Sequence, residues 1–134
     1  SADTLAINLL DFHNELASFV EGLSARELYE RFVHLAGAKT ENGKFGALLK
    51  AAAINVVKGS PISFAVMFEH LQRTKNKSVD EAFKADFELS QRFCQHPEFK
   101  EGVRAVLIDK DQKPQWTTPV DKAFSKDTFK FFFP

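Results

Sequence analysis

The residues that most often carry chemistry are scattered here, and their spacing argues against most of what they could do. The four histidines, His13, His34, His70 and His96, have no His or Cys partner three or four positions away, the spacing a helix-borne metal site needs. No metal ligand set is therefore expected. Cys94 precedes His96 by two residues, and positions two apart do not face each other on a helix, so a thiolate–imidazole pair is not expected. As the single cysteine it has no internal disulfide partner, and it reads as a buried structural residue. The acidic pairs Asp80-Glu81 and Glu98/Glu101 read as first-turn charges that suit a helix dipole, and nothing marks a buried carboxylate for general acid work. Neither a glycine-rich phosphate loop nor a nucleophile elbow occurs. No catalytic residue is assigned.

A few residues remain that can hold an anion or a neighbouring chain. Glu101 and Arg104 lie three apart, so Arg104 reads first as an ion-pair partner and second as a phosphate or inter-domain contact. Ser60-Pro61 reads as a helix start, with Ser60 as cap and a secondary capacity of that terminus to bind an anion. Lys110 and Lys113 read first as solvated charges and second as ligands.

The elements that must position these residues are helices. Leu9, Phe12, Leu16, Phe19 and Val20 recur at spacings of three and four, and Gly22 suits the cap that ends that helix. Ser24-Ala25-Arg26-Glu27 and Ser78-Val79-Asp80-Glu81 are capping boxes. They open helices carrying Leu28, Phe32 and Leu35, and then Phe83, Phe87, Ser90 and Cys94. The polar stretch Lys39 to Gly43 reads as a loop, and an alanine-rich helix spans Phe45 to Val57. Helix four starts at Pro61, with Phe64, Met67, Phe68 and Leu71 expected on its buried face. A sixth helix starts at Pro97, and the β-branched run Val103 to Ile108 that ends it is also compatible with a strand. The result is an all-α chain of five to six amphipathic helices: a helical region over 1–116, then an irregular arm and Phe-rich tail over 117–134, with room for one helical turn in Ser125 to Pro134. Three consecutive phenylalanines, Phe131 to Phe133, need cover from this domain or from a partner.

Composition narrows the partners. Lys+Arg and Asp+Glu balance at 18 each, which removes the basic excess expected of direct nucleic-acid binding or a polybasic membrane anchor. No apolar run is long enough to span a bilayer. The fifteen phenylalanines read as core filling, since they are not interleaved with Lys and Arg as a base-stacking platform would be.

One run speaks through its residues rather than its periodicity. Glu101-Gly102-Val103-Arg104-Ala105-Val106-Leu107-Ile108-Asp109-Lys110-Asp111-Gln112, followed by Pro114 and Trp116, resembles the C-terminal signature of the 3-hydroxyisobutyryl-CoA hydrolases, thioesterases of the crotonase (enoyl-CoA hydratase/isomerase) superfamily that act in mitochondrial valine breakdown. Ser60-Pro61-Ile62-Ser63, Phe87-Glu88-Leu89-Ser90-Gln91 and His96-Pro97-Glu98-Phe99-Lys100 resemble further family segments in the same order. The resemblance covers most of the chain from Leu9 to Trp116. It implies a helical part that covers an acyl-CoA pocket and supports contacts between subunits. The coenzyme A site, the oxyanion hole and the catalytic acids would lie upstream, in an α/β spiral. No cofactor is implied beyond the coenzyme A thioester substrate. The implied partners are the catalytic half or further subunits of the same enzyme in an oligomer, and the implied compartment is the mitochondrion. Arg104, Ser60 and Lys110 are the candidate contacts to coenzyme A or to the catalytic half. The family carries Leu-Lys where this chain has Phe64-Ala65, so one basic residue that could hold a phosphate is missing. That difference leaves a second reading, a non-catalytic scaffold module of crotonase descent such as those retained in mitochondrial ribosomes.

Overall fold

The computed structural model describes residues 2–40 and 45–134, with side chains described from residue 9 onward. Every regular element among them is helical, so the chain is all-α. It forms two compact units, Ser1–Lys58 and Gly59–Pro134.

The first unit holds α1 (Ala2–Val20), α2 (Ala25–Gly37) and α3 (Gly46–Lys58). Gly22 ends α1 at a φ of 70°, a left-handed conformation that glycine adopts without a Cβ clash. The Ser24 box opens α2: Ser24 Oγ accepts the Glu27 N–H, and the Glu27 carboxylate accepts the Ser24 N–H. Those two bonds hold the Glu27 carboxyl below its ordinary value. Leu28, Tyr29 and Phe32 form the buried face of α2, which packs on α3 through Leu49 and Ala53. Burial pushes the Tyr29 phenol above its ordinary value. Phe19 meets Phe32 at 5.2 Å, and Arg31 donates to the Phe19 carbonyl, which fixes the end of α1 against α2. Leu9, expected on the inner face of α1, is exposed. Most of the expected Lys39–Gly43 loop falls outside the described residues.

The second unit holds α4 (Pro61–Thr74), α5 (Val79–Gln95), α6 (Pro97–Val103), a single π-helical turn (Arg104–Ile108), α7 (Val120–Ala123) and α8 (Lys126–Phe132). The helical alternative for Val103 to Ile108 is the one found; the turn is widened by the Asp109 N–H donating to the Arg104 carbonyl five residues back. The Ser78 capping box forms at the start of α5. α4 and α5 lie against each other, and α7 and α8 return to cover both. Ile62, Val66, Leu89, Ala123 and Phe132 make the core, with Phe93, Phe124 and Phe133 packed around it. Each fully buried aliphatic side chain of this kind stabilises by about 1.5–3 kcal/mol.

Several expectations change here. The stretch 117–134 is not wholly irregular: Pro119 and Ser125 precede two short helices, and Ser125 Oγ caps the second by accepting the Thr128 N–H. The inward face of α4 is Ile62, Ala65, Val66 and His70, whereas Met67 and Leu71 are exposed. Ala65 and Val66 are small enough to let α5 and α7 approach, and α4 is apolar on both sides, so periodicity alone could not choose. Phe83, Phe87, Ser90 and Cys94 do share a face of α5, but it points outward; Leu89 and Phe93 point in. Cys94 is therefore exposed rather than buried. Phe132 needs no partner to cover it, because α8 turns it into this unit's own core against Phe93, 4.7 Å away.

Candidate functional site

The residues singled out from the sequence gather around the start of α6 and the segment that follows it, in two networks. The first centres on Glu98, which is only 4% exposed. His96 and Pro97 start α6, and His96 Nδ1 accepts the Glu98 N–H. That turn sends the carboxylate inward, beneath the start of α4. Ser60 Oγ donates to Glu98 Oε2 at 2.7 Å, and the Thr117 and Thr118 amides both donate to Oε1 at 3.0 and 2.9 Å. Ser60 Oγ also accepts the Ser63 N–H, so it caps α4 as expected. One carboxylate thus ties together three chain segments, with three donors offsetting the cost of its burial. The serine that could have left a helix terminus open to an anion is buried and occupied by Glu98.

The second network centres on Arg104. Its Nε and one terminal nitrogen grip the two Glu101 oxygens at 2.8 and 2.7 Å, a bidentate pair. The other terminal nitrogen donates to Asp109 and Asp111, both at 2.7 Å, and a further bond reaches the Lys113 carbonyl. Glu101 also accepts the Gln115 N–H, and Asp111 the Lys113 N–H. Arg104 donation, reinforced by the Gln115 amide, depresses the Glu101 carboxyl to about 2. Arg104 also holds Asp111 low, and its own pKa is raised, most of all by Glu101. The ion-pair role of Arg104 is the one that this geometry displays. Lys110 stands exposed at a φ of 55° and Gln112 at 57°, conformations unfavourable for residues with a Cβ. The bonds from Lys113 to Asp111 and from Gln112 to the Ala105 carbonyl hold the turn that contains them. Trp116 anchors the segment: its ring lies over Gly102, where an added Cβ would stand 3.5 Å from it.

Sequence reasoning missed Glu98. Its position in a helix's first turn suggests a solvated charge, and its partners lie 38, 19 and 20 residues away. The local signal was the His-Pro start, which fixes where the second helical residue points. Ala65, where a basic residue seemed to be lacking, is fully buried, so a lysine there would face the interior rather than a phosphate. Among the described residues no group of three acidic, His or Cys side chains could hold a metal ion, and no single helix is long and apolar enough to cross a membrane. Both networks are saturated by internal bonds, so they hold a backbone shape rather than a reactive group.

The sequence that folds in this way is similar to that of known proteins. The enoyl-CoA hydratase/isomerase family model matches residues 8–133, nearly the whole chain, and the chain belongs to that family. Similar curated proteins include mitochondrial 3-hydroxyisobutyryl-CoA hydrolases. The Gallus gallus enzyme is 34% identical over 109 residues, 81% of this chain and 26% of the relative. The Danio rerio enzyme is 37% identical over 94 residues, 63% of this chain and 24% of the relative. The Dictyostelium discoideum enzyme is 40% identical over 76 residues, 53% of this chain and 20% of the relative. The chain thus matches about a quarter or less of these relatives' length. No solved structure matches it.

Proposed function

We propose that this chain is the helical C-terminal part of a mitochondrial 3-hydroxyisobutyryl-CoA hydrolase-type enzyme, and that it completes a catalytic half instead of carrying out the thioester hydrolysis itself. In that role it covers the acyl-CoA pocket and supports contacts within an oligomer. The observation that carries the reading is the outer face of α5. Val79, Phe83 and Phe87 follow one another at four-residue spacing and are 70%, 67% and 64% exposed. An isolated exposed apolar residue needs no explanation, but a stripe of large ones along one helix marks a surface that another body covers. The similarity to hydrolases about three times as long supports the catalytic half as that body.

A chimera tests this. The matched quarter of the Gallus gallus hydrolase is replaced by this chain, and release of free coenzyme A from 3-hydroxyisobutyryl-CoA is followed. The chimera is expected to turn over substrate, this chain alone to give none, and Phe83→Asp with Phe87→Asp to abolish turnover in the chimera. Turnover by the purified chain alone, or a folded chimera indifferent to both aspartates, would refute the proposal.

A further inference from the structure

A second site stands apart from both networks. A cleft of about 630 Å3 opens between α4, α5 and α8. Its floor is apolar, built from Leu89, Phe132 and Phe133, and three cations stand around it: Arg73, Lys77 and Arg92, against Glu88 and the terminal carboxylate that Pro134 carries in the 134-residue chain. Arg73 uses its Nε on Glu69 and lays its guanidinium over the Phe133 ring, 4.5 Å from the centroid. His70, also at the cleft, is engaged by Asp86. Arg92 differs from these: it is half-buried, yet among the described residues its guanidinium has no ion pair and no hydrogen bond. Glu98, Glu101 and Arg104, also buried or half-buried charged groups of this unit, are all matched. A planar five-donor fork left unmatched beside an apolar floor suits an oxyanion carried on an apolar body. The volume lies within the range of small-molecule sites, roughly 300–1,000 Å3.

We propose that this cleft binds a phosphate monoester of a flat apolar group. The phosphate sits on Arg92, with Arg73 and Lys77 completing its neutralisation, and the apolar body lies on Leu89, Phe132 and Phe133. The inference does not rest on the hydrolase reading, and its test needs no catalysis.

Phenyl phosphate, inorganic phosphate and phenol are titrated into the 134-residue chain while backbone amide shifts are followed by NMR. Phenyl phosphate is expected to shift Leu89, Arg92 and Phe133 saturably, and each single-feature probe to bind at least about tenfold more weakly. Arg92→Gln is expected to weaken phenyl phosphate by about tenfold or more, as loss of a charge-assisted bond does. Arg92→Lys, which keeps the charge without the fork, should fall between. No saturable shift by about 10 mM phenyl phosphate would overturn the proposal. Shifts mapping outside the cleft would also overturn it, as would folded Arg92→Gln and Arg92→Lys proteins that bind like the parent.

Discussion

Glu98 and Glu101 lie three residues apart on one short helix and do different work. Glu98 is buried and serves as an acceptor for three donors. Replacing it with alanine leaves the Ser60 hydroxyl and two amides without their partner, at about 1–3 kcal/mol for each donor that stays buried. Glu98→Ala is therefore expected to lower unfolding stability in urea by about 3 kcal/mol or more. Glu98→Gln should lose less, because its carbonyl oxygen still serves both amides. Equal losses in the two variants would show that the amides are not held by Oε1. Glu101 acts through its charge. Its folded carboxyl sits at about 2 against an ordinary 4.5, so it favours the folded state above 4.5, and that contribution disappears as the pH falls towards about 2. Thermal melts should show the parent more stable than Glu101→Gln at pH 6 and the gap closing on acidification between 4.5 and 2. A gap that stays constant down to pH 2 would contradict the Arg104 pairing. The Glu101–Arg104 pair was legible because both partners sit on one helical turn. Glu98 was not, because its partners are distant in sequence and a first-turn acid is ordinarily solvated.

At the scale of elements, local chemistry was readable and facing was not. Both capping boxes, the Ser60-Pro61 start and the Gly22 stop involve residues within four positions of one another, and all of them form. Which face of α4 and α5 turns inward depends on what packs there, and both helices carry large apolar residues on two sides. The small pair Ala65-Val66 and the single leucine Leu89 won over the phenylalanine-rich faces because α7 and α8 return across them. That return also escaped the sequence, since 117–134 has too few residues per helix for a periodic signal. Two variants separate the inner and outer faces. Phe132→Ala, in the core, should cost about 3–5 kcal/mol in chemical denaturation. Phe83→Ser, on the outer face, should change the stability of this chain by no more than about 0.5 kcal/mol. The reverse order would mean that the α5 stripe, not α8, is the buried one.

For the whole molecule, the family follows from nearly full coverage of the chain, whereas the activity belongs to proteins about three times its length. The saturated networks around Glu98 and Arg104 hold a shape, and the stripe on α5 is exposed. The most direct measurement of the central claim is the size and activity of the polypeptide that carries this sequence in its source cell, captured with an antibody to the chain. The account predicts a species several times larger than 15.1 kDa that releases coenzyme A from 3-hydroxyisobutyryl-CoA. A 15.1 kDa species without a hydrolase partner, or a larger protein that leaves that thioester intact, would contradict it.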